Sequence, residues 1–306
     1  FQSSIRLFIF NTIWQSNHNI NSKTSLSHRD KEPENGILYL VGTPIGNLSD
    51  ISKRALYILE NVFLIACEDT RQTRKIMNTF NISNHMESFN KQNSLKKISK
   101  ILDLLSSGKS IALVSDAGMP GICDPGEELV KCAKIAGLEV VCIPGPCAAI
   151  TALVSSGLPS SKFIFEGFLP KKKIDREKAL LEISKNLKTT IIFESPHRLK
   201  KLLRELKNYC GGSRKLQVAK ELTKKFEKQI GQNINEVIEF FEDKEPIGEY
   251  TIILDGIEHA KRNAFNPILL KSELHELINL GLSLNAASKY LAKKNNIPKR
   301  IIYNLE

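Results

Sequence analysis

The sequence predicts an α/β fold of two domains followed by a small helical extension. Three observations predict it. Short apolar runs alternate with helical patterns along most of the chain. Three of those runs, residues 37–41, Ile111–Val114 and Val140–Ile143, pass directly into loops rich in glycine and proline. Past Gly157 the pattern changes to strands separated by basic helices. The domains read as residues 37–156, 157–258 and 265–306, with residues 1–36 a disordered or targeting extension.

Composition fits this division. At 306 residues the chain is long enough for two domains, and 42% hydrophobic with 25% charged residues is a globular balance. The longest apolar stretch, residues 140–154, is interrupted by Pro144-Gly145-Pro146, so it is a strand, a loop and a helix start, not a membrane span. A formal charge of +11 favours a polyanionic partner. The six cysteines, Cys67, Cys123, Cys132, Cys142, Cys147 and Cys210, form no Cys-x-x-Cys pair and have no histidine at zinc spacing. They read as reduced thiols in a cytosol-like compartment, and no metal is signalled. Residues 1–36 are rich in Ser and Asn and carry no acidic residue before Asp30. With Arg6 and Arg29 they also suit an organelle transit peptide, which would move a cytoplasmic protein to a stroma or matrix.

The elements follow in order. Residues 37–41 form a buried strand leading into Gly42-Thr43-Pro44-Ile45-Gly46-Asn47, and residues 51–59 have helical spacing with Ser49 or Asp50 as cap. This strand, glycine loop and helix are like the start of a dinucleotide-binding unit but lack Gly-x-Gly-x-x-Gly. Residues 62–66 are a strand ending in Glu68-Asp69-Thr70-Arg71, with Arg74 beyond, and residues 94–105 are an amphipathic helix. Ile111–Val114 then opens residues 115–126, a loop holding Asp116 and Asp124, before a helix over residues 127–136. Ligands of open α/β sheets bind at the C-terminal ends of the strands, which is where all three loops fall. If the strands are parallel, the loops line one rim.

In the second half, residues 162–167 and 190–193 are strands around a basic helix at 171–187, and Glu194-Ser195-Pro196-His197-Arg198 precedes another basic helix. Residues 216–219 form a strand ending in Lys220-Glu221-Leu222-Thr223-Lys224. Residues 234–241 are a helix, and residues 251–254 a last strand after Gly248. Beyond a linker at 261–266, helical patterns cover residues 269–280, 285–294 and 298–305, and the Gly281-Leu282-Ser283 break has helix-turn-helix character.

Six motifs in this order, Gly42-Thr43-Pro44-Ile45-Gly46-Asn47-Leu48, Glu68-Asp69-Thr70-Arg71, Ser115-Asp116-Ala117-Gly118, Pro144-Gly145-Pro146, Glu194-Ser195-Pro196-His197-Arg198 and Glu221-Leu222-Thr223-Lys224, make the chain resemble the ribosomal RNA small subunit methyltransferase I family of the tetrapyrrole methylase superfamily. The resemblance runs from Ile37 to the C-terminus. It implies a class III S-adenosylmethionine methyltransferase with its cofactor cleft between two α/β domains. It also implies homodimers and methylation of a cytidine 2′-hydroxyl in the decoding region of 16S rRNA in the small ribosomal subunit. The cofactor residues it implies are Gly42, Thr43, Pro44, Ser115, Asp116, Ala117, Gly118, Ile122, Pro144, Gly145, Pro146 and Leu222, with a contribution near Gly248. Met119 stands where threonine is expected, and Cys123 and Cys147 where serine is, so grip at these points falls to the backbone. Ile230-Gly231-Gln232 lacks an expected arginine.

Methyl transfer from a sulfonium requires the nucleophile to be held in line with the leaving sulfur. A group that accepts the hydroxyl proton contributes roughly 10²–10⁴-fold. Glu68, Asp69, Glu194, His197, Lys220 and Glu221 are the candidates, with Glu221 preferred as base and Glu68 and Asp69 as positioning groups. Each is also what an ordinary strand end presents. RNA contacts are expected from Arg71, Arg74, His197, Arg198, Lys224 and the lysines at 171–173. Three rivals are weighed: a tetrapyrrole methyltransferase, against which Glu194–Arg198 and the charge of +11 speak, a related enzyme modifying a protein histidine, as in diphthine synthesis, which would not carry this motif set, and a catalytically silent RNA-binding protein.

Overall fold

The computed structural model describes residues 32–257, 267–295 and 297–305. The first 31 residues of the extension and the linker at 261–266 lie outside the described residues. Two compact units are present. One comprises the chain up to Val41, Lys53–Val114 and Gly126–Ile143; the other comprises Gly42–Ser52, Ser115–Pro125 and the chain from Pro144 onward.

The first unit is a five-stranded parallel sheet of β1 (Leu38–Val41), β2 (Leu64–Cys67), β3 (Met86–Ser88), β4 (Ile111–Val114) and β5 (Val140–Ile143), in the order β3-β2-β4-β1-β5. Its helices are α1 (Lys53–Asn61), α2 (Thr70–Thr79), α3 (Ser94–Ser106) and α4 (Glu127–Ile135). β2 and β4 are buried at every position, as continuous apolar runs in a parallel sheet must be. Ile98, Ile101 and Leu105 of α3 and Leu129 and Ala133 of α4 pack on Leu38, Leu64, Ile111 and Leu113. β3 was not expected. It is a half-buried edge of three residues, fixed by pairing with β2 and by no periodicity of its own.

The second unit holds a mixed sheet, β6 (Phe163–Phe168), β7 (Thr189–Glu194), β10 (Tyr250–Leu254), β8 (Leu216–Lys220) and β9 (Lys228–Ile230), in the order β6-β7-β10-β8-β9. β6 and β7 are parallel and the other pairs antiparallel. β9 is again a short edge that the sequence did not announce. The helix α5 (Ala148–Ser155) covers one face, with Ala149, Ala152 and Leu153 against Ile191, Ala219 and Ile253. Three helices, α6 (Lys173–Lys185), α7 (Pro196–Cys210) and α8 (Ile234–Phe240), cover the other through Leu180, Leu202, Leu206 and Val237.

The chain ends in α9 (Pro267–Asn279), α10 (Leu284–Asn295) and α11 (Lys299–Tyr303), closed around Leu274, Ala287, Leu291 and Ile302. The helix expected from residue 51 begins at Lys53 instead. Asn47 first caps a short 3-10 turn, Leu48–Asp50, by accepting the Ser49 N–H at 3.1 Å, and the chain leaves that turn extended at Ile51. Among the described residues no helix is long and apolar enough to cross a membrane.

Candidate active site

The loops that follow β1, β4 and β5 meet inside the second unit. Thr43 and Gly118 exchange two backbone hydrogen bonds, Thr43 N to Gly118 O at 2.9 Å and Gly118 N to Thr43 O at 3.0 Å. The buried Thr43 hydroxyl also donates to the carbonyls of Ser115 (3.3 Å) and Gly118 (3.4 Å). Ser115, itself buried, donates its hydroxyl to Ala117 O at 3.3 Å. The hydroxyls of this region are thus spent on shaping the second loop.

Gly42 and Gly145 lie back to back. A Cβ built on Gly42 would stand 2.7 Å from the Gly145 Cα and 2.7 Å from Met119 Sδ; one built on Gly145 would stand 2.8 Å from the Gly42 Cα. The contact between Gly42 and Gly145 is with backbone, so only glycine permits it at both positions. The two loops therefore pack directly at these glycines, with Met119 Sδ against Gly42. Pro44 is buried beside this contact, while Asp116, Ala117, Ile122 and Pro144 are exposed and Gly145 and Pro146 half-buried. The result is a loop edge where Gly42 and Gly145 leave the backbone uncovered, with a carboxylate at Asp116. That edge fits a nucleoside-bearing cofactor gripped by main-chain groups. The three departures have these settings. Met119 Sδ lies against Gly42. Cys123 has φ 66°, and Cys147 begins α5 without a side-chain cap.

The first loop also reaches the turn after β8. A Cβ on Gly46 would meet Lys224 Cγ at 2.5 Å and Thr223 Oγ1 at 2.8 Å. Among the described residues four non-glycine residues have positive φ, and two of them, Glu221 (52°) and Thr223 (65°), flank Leu222. Such backbone costs roughly 1–3 kcal/mol per residue and persists only where its surroundings enforce it. Here the enforcement is visible. Leu222 is buried with Ile45 and α5. Glu221 N donates to Glu249 O at 3.0 Å, and Glu221 Oε1 accepts from Glu249 N (2.9 Å) and Lys224 Nζ (3.0 Å). Lys224 Nζ donates also to Glu249 Oε2 at 2.8 Å. Burial pushes the Glu221 carboxyl up, but the Glu249 amide and the Lys224 ammonium outweigh it and hold the group below the usual glutamate range. Burial likewise pushes Lys224 down, and its two carboxylate partners more than offset this, so it stays charged. The sequence reading missed Glu249. Its one signal was its place between Gly248 and a strand.

The remaining expected residues have different settings. Glu68, Asp69, Arg71 and Arg74 belong to the first unit. Asp69 caps α2 by accepting the Arg71 N–H at 2.8 Å, and the Arg71 guanidinium bonds the same carboxylate at 2.6 Å. Those contacts bring Asp69 down to about 2. The Arg71 and Arg74 side chains are exposed. Glu194 is fully buried. It accepts from Ser195 N at 2.9 Å and pairs with Arg198 at 2.6 Å and Arg176 at 3.5 Å. Arg176 also holds Glu205 at 2.8 Å. Glu194 and Arg198 thus brace the start of α7, and His197 beside them is exposed. Arg176, inside a basic helix, was not singled out.

Glycine loops at three strand ends of an α/β architecture are where such folds bind ligands, and the comparisons give the family. The sequence matches the model of Tetrapyrrole (Corrin/Porphyrin) Methylases over residues 37–238. It is 42% identical over 88% of its length to 97% of "Ribosomal RNA small subunit methyltransferase I" from Synechocystis. It is 47% identical over 73% of its length to the whole of the protein of that name from Thermotoga maritima. The structure of a cobalt precorrin-4 methyltransferase superposes with a TM-score of 0.55 over 72% of this chain and 95% of that one, at 16% identity, which is likeness of fold. The chain belongs to the tetrapyrrole methylase family, and within it to the ribosomal RNA small subunit methyltransferase I family.

Proposed function

We propose that this chain is an S-adenosylmethionine-dependent methyltransferase of the small-subunit ribosomal RNA, and that its target is the ribose 2′-hydroxyl of a cytidine in the decoding region of 16S rRNA. One observation carries the reading: the loops at Gly42, Gly118 and Gly145 meet closely, through the Gly42–Gly145 backbone contact and the Thr43–Gly118 backbone bridge, in a chain that matches almost the full length of relatives bearing that name. S-adenosylmethionine supplies an electrophilic methyl group. In this reading Gly42, Thr43, Pro44, Gly118, Gly145 and Pro146 form the floor of its site. Ser115, Asp116, Ala117, Ile122, Pro144 and Leu222 form the rim.

Glu221 carries the strongest case for meeting the hydroxyl. It is ionised at neutral pH, so it can accept a hydrogen bond. Its Oε1 is committed to Lys224 and the Glu249 amide, which leaves Oε2 for the substrate. Glu68 and Asp69 are positioning groups in this reading. Arg71, Arg74, His197 and Lys224 meet RNA, and Arg198 contributes through the bracing of α7. The protein works as a homodimer in the compartment that holds the ribosomal subunits, the cytoplasm.

The test is transfer of labelled methyl from S-adenosylmethionine to undermethylated small subunits, followed by nucleoside analysis. The expected product is labelled 2′-O-methylcytidine. Cofactor binding without label in RNA overturns the substrate, and absence of cofactor binding overturns the enzyme.

A further inference from the structure

The C-terminal helices are not used by the reaction just described. α9, a turn at Gly281 (φ 96°) and α10 form a helix-turn-helix, with Gly281 N bonded to Ile278 O at 2.9 Å and Leu282 N to Leu277 O at 3.1 Å. Glu273 of α9 ties this module to α6 through Lys185 at 3.7 Å. The acids of these helices are confined to α9, which also carries Lys271. The acids Glu273 and Glu276 are on α9, while α10 and α11 contain five cations, Lys289, Lys293, Lys294, Lys299 and Arg300, and no acid. Lys294 is spent on Glu273 at 2.8 Å, and Lys299 bonds Asn285. Among the described residues Lys289, Lys293 and Arg300 are exposed and in no ion pair. Two tyrosines accompany them with their rings in solvent, Tyr290 at 55% and Tyr303 at 46% exposure. Lys293 is three and four residues from Tyr290 and Lys289, which puts the three on one side of α10. Arg300 and Tyr303 have the same three-residue relation on α11. The inward positions, Ala287, Leu291 and Ile302, are apolar and pack with Leu274 of α9.

Lysine and arginine neutralise phosphates, and tyrosine faces stack on unpaired bases. We infer that α10 and α11 are an RNA-binding surface, with Lys289, Lys293 and Arg300 on backbone phosphates and Tyr290 and Tyr303 stacked on unpaired bases of the substrate RNA. This rests on the RNA reading above and adds a second contact region, on the module after the catalytic fold.

The experiment measures affinity of the full chain for naked 16S rRNA across a salt series, with methyl transfer as a parallel readout. The K289Q/K293Q/R300Q variant is expected to reduce the slope of log affinity against log salt by about 2, at roughly 0.7 per lost phosphate on single strands. Y290A is expected to weaken binding about tenfold, and Y290F to restore it, because stacking needs the ring and not the hydroxyl. Cofactor affinity is expected to stay at the wild-type value in all of them. An unchanged slope in the triple variant, with the wild type still methylating RNA, overturns this surface and leaves the enzyme reading standing. Lost binding to intact subunits with unchanged binding to naked RNA assigns the surface to a protein, and also overturns it. A wild type that binds cofactor but shows no salt-dependent RNA affinity overturns both readings.

Discussion

Two strand ends in the second sheet carry nearly the same pattern. β7 ends in Glu194 with Arg198 four residues on, and β8 is followed by Glu221 with Lys224 three residues on. In each the glutamate pairs with its own downstream cation, at 2.6 Å and 3.0 Å. After β7 the backbone goes directly into α7, with Pro196 at the first helical position, where its missing N–H costs nothing. The Glu194 carboxylate is fully buried and satisfied by Arg176, Arg198 and Ser195 N. After β8 no helix forms. Glu221 and Thr223 take left-handed backbone, the Thr223 hydroxyl is buried without a hydrogen-bond partner among the described residues, and the turn lies against Gly46 of the first loop. The same residue types therefore make a brace at one strand end and a strained, partly open cluster at the other. Strain held at some cost beside the glycine loops makes the second the candidate site.

The comparison can be broken at either end, and the largest effect is expected at the brace. Glu194→Gln leaves Arg176 and Arg198 without their buried carboxylate and is expected to destabilise the fold by about 3–5 kcal/mol, read by chemical denaturation. A loss below about 1 kcal/mol would show that the pair is not structural. At the site, Gly248→Ala introduces a Cβ 2.6 Å from Glu221 Oε1 at a residue with φ 97°. It is expected to cost roughly 1–3 kcal/mol and to lower turnover further than stability alone explains, because the displaced group is the Glu221 carboxylate.

Titration sharpens the same contrast. Glu221 sits below its ordinary value of 4.5 in the folded chain. Its contribution to stability is present above that value and disappears as pH falls through the depressed one. Lys224 sits above 10.5, so its contribution is complete below that value and is lost as pH rises beyond it. The cluster is thus intact between these limits. In Glu221→Gln the acid-side part of the stability profile is expected to flatten, as followed by thermal melts from pH 3 to pH 7. The smallest effect belongs to Cys147, which begins α5 with no side-chain cap. Cys147→Ser supplies a capping oxygen and is expected to stabilise by ~1 kcal/mol, seen as a higher melting temperature.

How much of this was legible in the sequence depends on range. The parallel strands were visible because β2 and β4, buried on both faces, are unbroken apolar runs. The loops were visible because glycine and proline clusters stop regular structure locally. The meeting of Gly42 with Gly145 was not, since it joins positions about a hundred residues apart through backbone and leaves no periodicity. Glu249 and Arg176 escaped for the same reason. One looks like a strand flank and the other like one more cation in a basic helix, and only the fold brings them to Glu221 and Glu194. The edge strands β3 and β9 owe their existence to neighbours, so three residues of local sequence could not reveal them. Within the motifs the sequence grouped Arg198 with Arg74 as candidate RNA contacts. The structure gives Arg198 a buried partner and leaves Arg74 exposed.

The proposed cofactor site depends on the backbone contact of Gly42 with Gly145, while the Glu194 brace supports the fold. This dependence is tested most directly by titrating S-adenosylmethionine into the wild type, Gly145→Ala and Glu194→Gln, each at a temperature where circular dichroism shows it folded. Binding is expected in the wild type and Glu194→Gln, with a loss of at least about tenfold in Gly145→Ala, whose Cβ would stand 2.8 Å from the Gly42 Cα. Wild-type affinity in folded Gly145→Ala would contradict it.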